Sequence, residues 1–138
     1  RAGQGSHMEG EICAVMDARR NLVYAARFLA QNGTLTRLSE DAAIGLDQLA
    51  EELEKSSNAK FLVGDGASLC YNFLKARGIS ATMMPPHLVY QTAWGVARAG
   101  LELARRDQLV SGAAMAPQYH RLSQAERERL AQGKSLTK

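Results

Sequence analysis

Ile12-Cys13-Ala14-Val15-Met16-Asp17-Ala18-Arg19-Arg20-Asn21-Leu22-Val23-Tyr24-Ala25-Ala26-Arg27-Phe28 is the stretch that decides the fold. It consists of two apolar runs joined by a short polar segment. In the second run Leu22, Tyr24, Ala26 and Phe28 fall on one side of an extended chain, and Val23, Ala25 and Arg27 on the other. That alternation of period two belongs to a strand, whose successive side chains point to opposite faces. Two such runs around Arg19-Arg20-Asn21 predict a β-hairpin.

Outward from the hairpin, Gln31-Asn32-Gly33 makes a second turn and the β-rich Thr34–Leu38 a third strand. Ser39–Ile44 is expected to be a connector. At Leu46 the period changes. Leu46, Leu49, Ala50 and Leu53 recur at i, i+3, i+4 and i+7, the stripe of an amphipathic helix, with Asp47, Gln48, Glu51, Glu52 and Lys55 opposite. Lys60–Val63 has the shape of a short central strand. It runs into Gly64-Asp65-Gly66 and a helix at Ser68–Arg77 that Gly78 stops. A short strand is predicted at Ala81–Met84. Pro85-Pro86 then introduces the longest predicted helix, Leu88–Arg106, with Val89, Ala93, Val96, Ala97, Leu101 and Ala104 as its stripe. Its small residues would let it lie close to a sheet or a partner helix, with Tyr90 and Trp94 in a core or an interface. Met115–Leu122 is expected to be extended at an edge, because Pro117 donates no ladder bond. Ser123-Gln124-Ala125-Glu126 opens a short helix through a capping box, and Lys134–Lys138 is expected to be disordered.

The order β-β-β-α-β-α-β-α predicts an α/β, ribonuclease-H-like lobe of the kind that builds each half of the actin-like ATPases. Three antiparallel strands are followed by β-α-β-α crossovers, giving a mixed sheet flanked by helices. The expected division is a tag-cleavage remnant at residues 1–8, which contain Gly5-Ser6-His7-Met8, a lobe at 9–122, and a basic helical tail at 123–138. On this division the chain is expected to be one domain of a longer protein.

The composition is that of a globular domain, with 46% hydrophobic and 22% charged residues among 138. No apolar run reaches the roughly 20 residues of a membrane helix, and no membrane partner is expected. Cys13 and Cys70 lie in apolar runs and are expected to be core thiols in a reducing, cytoplasmic compartment. The net charge of +3 has one location. Gln118–Lys138 carries five basic residues against two acidic ones, which leaves the rest of the chain neutral. Arg121 and Arg127 in that segment, with Arg19 and Arg20 at the hairpin tip, are the candidates for contact with a partner or RNA, because the guanidinium fork suits phosphate and carboxylate.

Two constellations invite chemistry. Asp17 and Asp65 would end neighbouring strands, and converging carboxylates can hold Mg²⁺ for phosphodiester hydrolysis. The set is incomplete for a nuclease. The alternative is that Asp17 fixes the turn and Asp65 caps the next helix. Gly64, Asp65 and Gly66, between a strand and a helix, form a candidate phosphate loop, since such a turn presents backbone N–H groups at a helix N-terminus. A tight turn that only docks the helix explains the same residues. His87 and His120 stand alone, and no catalytic or metal-binding set is assigned.

Three motifs together carry a family resemblance. Asp17-Ala18-Arg19-Arg20-Asn21-Leu22-Val23-Tyr24, then Val63-Gly64-Asp65-Gly66 before a helix, then Tyr119-His120-Arg121-Leu122-Ser123-Gln124-Ala125-Glu126-Arg127-Glu128 resemble the C-terminal lobe of the TsaB (YeaZ) family in order and separation. His120 stands where that family often has leucine. The resemblance implies a non-catalytic scaffold of the actin-like ATPase superfamily. Such a scaffold supports TsaD and TsaE in the N6-threonylcarbamoyladenosine modification of tRNA. It implies no cofactor in this lobe, with ATP and metal held by the partner subunits, and only indirect contact with tRNA. A homodimer of the isolated lobe is a further expectation. The alternatives are a divergent metal-dependent nuclease using Asp17 and Asp65, and an interaction lobe of another actin-like ATPase.

Overall fold

The computed structural model describes residues 9–133. The expectations for residues 1–8 and Lys134–Lys138 lie outside them. Strands β1 (Gly10–Asp17) and β2 (Leu22–Gln31) form the predicted hairpin and pair antiparallel along the whole of β1. Asp17 Oδ1 accepts the Arg19 backbone N–H at 2.7 Å, and Arg19, Arg20 and Asn21 all take left-handed φ values of 64°, 56° and 59°. Asparagine enters that region readily. The arginines are held there by the closure of the strands on either side.

Strand β3 (Thr34–Arg37) pairs with the second half of β2, and β4 (Ala42–Gly45) with its first half. The expected connector Ser39–Ile44 is therefore a strand from Ala42 onward. Four small or short-run residues show no alternation, and only the free edge of the long β2 makes them extended. Helix α1 (Leu46–Glu54) crosses to β5 (Lys60–Val63), which lies parallel to β1. Helix α2 (Ala67–Ala76) crosses to β6 (Thr82–Met83), parallel to β5. The main path of the mixed sheet is β3-β2-β1-β5-β6. This is the ribonuclease-H-like order.

Register explains the core. Cys13 stands opposite Arg27, Val15 opposite Ala25, and Asp17 opposite Val23, so these residues share the face that α1 and α2 cover. Leu46, Leu49, Ala50 and Leu53 from α1 and Ala67, Cys70 and Leu74 from α2 close on Cys13, Val15, Val23 and Leu62, all with at most 2% exposure. Each large aliphatic side chain so buried contributes about 1.5–3 kcal/mol. At the rim of this core Glu11 is 1% exposed and pairs with Arg27 at 3.2 Å. The same guanidinium reaches Glu52 Oε2 at 3.4 Å and donates to the Glu52 carbonyl at 3.4 Å, tying the end of α1 to the sheet. Arg27 is thereby committed to intramolecular pairing with one strand carboxylate and one helix carboxylate.

The predicted Leu88–Arg106 helix is two helices. α3 (Pro86–Val89) ends at Tyr90, and α4 (Ala93–Arg105) starts anew with Thr92 Oγ1 accepting the Gly95 N–H at 3.1 Å. No residue of α4 is buried, and Trp94 is 73% exposed. Trp94 and Tyr90 are thus not core residues. Segment 115–122 forms no strand. Its Gln118–Arg121 part borders the second face of the sheet as irregular chain, anchored where the Arg121 guanidinium donates to the Ala18 carbonyl. Helix α5 (Gln124–Ala131) begins with the predicted capping box between Ser123 and Glu126.

Candidate functional site

The strand ends β1 and β5 place Asp17 and Asp65 side by side, as the sequence led us to expect. Their carboxylates do not stand free. Asp65 Oδ1 accepts the Asp17 backbone N–H at 3.2 Å, while Asp17 Oδ1 holds the hairpin turn. Asp65 therefore ties β5 to β1 and caps no helix; Gly66 is the N-cap of α2, which has no side-chain cap. Among the described residues no three His, Cys, Asp or Glu side chains converge in a group that could hold a metal ion.

The Gly64-Asp65-Gly66 turn is built by close approach. Gly64 has φ +100°, and a Cβ there would sit 2.0 Å from the Val15 carbonyl oxygen. At Gly66 it would sit 3.0 Å from the backbone of Met16 and Asp17. The N–H groups that would cradle a phosphate already have acceptors. Gly64 N–H donates to Val89 O at 2.6 Å, and Gly66 N–H to Val15 O at 3.0 Å. The turn docks α2 against β1 and the end of α3 against β5.

The four arginine candidates do come together in part. Arg121 is bonded to Ala18 O, immediately before Arg19 and Arg20, whose side chains are exposed at the hairpin tip. Arg121 and Arg127 line one cavity with Tyr24 and Tyr119. It adjoins a second cavity of about 570 Å³ over the sheet face, which shares Tyr24, Tyr119 and Arg121. The floor of that second cavity is low for a reason of sequence. Ala14 and Ala26 are cross-strand partners, while the larger Met16–Tyr24 and Ile12–Phe28 pairs flank them. Sequence reasoning missed this groove. The signal lay in the alternation itself, where two alanines fall on the face away from α1 and α2.

The two thiols lie on the opposite, covered face. Burial pushes the Cys70 thiol up to about 11 and Cys13 higher still, so neither is ionised near neutral pH. Glu126 moves the other way: its hydrogen bonds with Ser123 hold its carboxyl below the usual carboxylate range.

The fold defines the class as a ribonuclease-H-like α/β lobe. Solved structures make the likeness particular. A Pseudomonas aeruginosa protein described as similar to peptidase YeaZ superposes with a TM-score of 0.62 at 18% identity, over 82% of this chain and 50% of its own. YeaZ from the same organism superposes with a TM-score of 0.60 at 17% identity, over 80% of this chain and 50% of its own. The chain therefore has a YeaZ-like fold and spans about half the length of the solved structures it matches. No protein-family model and no curated protein sequence matches it. Among the described residues no helix is long and apolar enough to cross a membrane.

Proposed function

We propose that this chain is a scaffold lobe of a TsaB-like protein that supports a TsaD-type catalytic subunit, with a TsaE-type ATPase, in N6-threonylcarbamoyladenosine modification of tRNA. The observation that carries the reading is the YeaZ-like fold over four-fifths of the chain, joined to the three motifs in family order. A supporting role also suits the strand-end turns, where nucleotide chemistry would otherwise sit. There the Asp17 and Asp65 carboxylates and the Gly64 and Gly66 N–H groups are all spent on holding the lobe together. Catalysis, ATP and metal then belong to the partners in the cytoplasm, and exposed α4 gives the lobe a face for a partner or a second copy of itself.

The test is co-purification of the chain, alone and within its full-length parent, with the TsaD homologue of its source. The parent is expected to pair with it, and the isolated chain is expected not to hydrolyse ATP. A parent that fails to pair would sink the assignment. Mg²⁺-dependent cleavage of an RNA–DNA hybrid, abolished by Asp17→Asn, would replace it with the nuclease.

A further inference from the structure

The groove over the second sheet face has the chemistry of a binding site. Its floor is the Ala14–Ala26 pair, and Val63, the neighbour of Ala14 on β5, and Val89 also line it. Its walls include Tyr24 and Tyr119, the latter 84% exposed. The cationic end is Arg121 and Arg127. Neither arginine is in an ion pair among the described residues, and the buried Arg127 Nε has no hydrogen-bond partner among them. The acids that line it each have a partner, and Glu126 sits at the cationic end with the two arginines. Asp41 pairs with Arg37 at 2.7 Å, and Glu126 accepts the Ser123 N–H at 2.8 Å. A ligand that fits has a flat apolar body for the tyrosines and an anionic group for the arginines. A nucleobase with its phosphate has both, since bases stack on aromatic rings and guanidinium forks clasp phosphate oxygens.

We propose that this groove binds a nucleoside monophosphate unit, its base against Tyr24 and Tyr119 and its phosphate on Arg121 and Arg127, and that single-stranded RNA supplies the unit. The nucleotide chemistry stands on the groove alone; RNA as its source rests on the reading under Proposed function. Arg19 and Arg20, exposed beside the Arg121 anchor, extend the cationic end along the path of a following phosphate.

The test is fluorescence anisotropy of a labelled oligoadenylate decamer with the full chain, with 5′-AMP and inorganic phosphate as competitors. Tyr119→Ala is expected to weaken binding roughly tenfold, within the range for loss of one stacked base, while Tyr119→Phe retains it. Arg127→Gln is expected to weaken binding and to lower the salt slope by about 0.7, the value for one phosphate contact on a single strand. Tyr119 is exposed and α5 buries no residue, so both variants are expected to keep the fold, which circular dichroism checks. Arg98→Gln on α4 removes the same charge away from the groove and is expected to leave binding within about twofold. Amide resonances of Ala14 and Ala26 are expected to shift on titration. Equal losses from Arg98→Gln and Arg127→Gln, or an unmoved groove floor, would overturn the site. Equal affinity for 5′-AMP and the decamer would overturn RNA as the source. Failure of TsaD pairing with groove binding intact would count against the scaffold reading alone.

Discussion

Arg27→Met probes the ionic rim that joins α1 to the sheet. Arg27 is 19% exposed and its partner Glu11 only 1%, so solvent screens this pair little. Methionine fills much of the same volume and removes the charge. Glu11 is then left buried without a cation, and the Glu52 carbonyl at the end of α1 loses a donor. Breaking a buried pair on one side costs about 3–5 kcal/mol, a large share of the roughly 5–15 kcal/mol that holds a domain together. With a urea dependence of about 2 kcal/mol per molar, the midpoint of unfolding is expected to fall by about 2 M. The double variant Glu11→Leu/Arg27→Met removes both charges and is expected to recover most of the loss, because the cost lies in the orphaned carboxylate. Equilibrium urea unfolding followed by circular dichroism checks both. A single variant that loses under about 1 kcal/mol, or a double variant no better than the single, would refute the reasoning.

Two glycines with the same sign of φ separate strain from space. Gly64→Ala drives a Cβ into the Val15 carbonyl and is expected to cost more than about 3 kcal/mol, whereas Gly78→Ala meets open space and is expected to cost about 1 kcal/mol by the same urea assay. The depressed Glu126 carboxyl stabilises the start of α5 above its unfolded titration range, and that contribution is lost as pH falls through its lower, folded value. Amide shifts of Ser123 and Glu126 are accordingly expected to move together in acid, and Ser123→Ala to return the titration toward the usual carboxylate range. With Cys13 and Cys70 buried and their thiols raised, both are expected to resist a thiol reagent at pH 8 in the folded protein and to react at once in urea. Rapid labelling of the native chain would show that the covered sheet face is open.

Where the apolar period coincides with a buried face, the fold was legible in the residues. The Ile12–Phe28 alternation and the Leu46–Leu53 stripe gave β1, β2 and α1 on the correct faces, and Ser123 with Glu126 gave the start of α5. β4 was hidden because Ala42-Ala43-Ile44-Gly45 acquires its extended shape from β2, not from its own pattern. The break at Tyr90–Thr92 was hidden because the stripe continues across it, while the Thr92 cap lacks the acid that marks a capping box. The stripe of α4 shows that a face suits an apolar neighbour; it does not say which. At the candidate site, residue types identified the arginines and aspartates. The turn held by Asp17 was legible too; only three-dimensional closure showed that Asp65 reaches back to the Asp17 N–H in place of capping α2, and that Arg121 reaches Ala18 across 103 positions.

The length of β2 has a kinetic consequence. Its ten residues meet β1 on one edge and both β3 and β4 on the other, so four strands are joined through contacts close in sequence. β5 joins only after α1 has crossed over, and the Asp65–Asp17 bond spans 48 positions. Local pairing is entropically cheaper to close than distant pairing. The β1–β4 meander is therefore expected to form ahead of the β1–β5 seam. Val23→Ala would then slow refolding, while Leu62→Ala would chiefly hasten unfolding, a division that stopped-flow chevrons of the two variants would read directly.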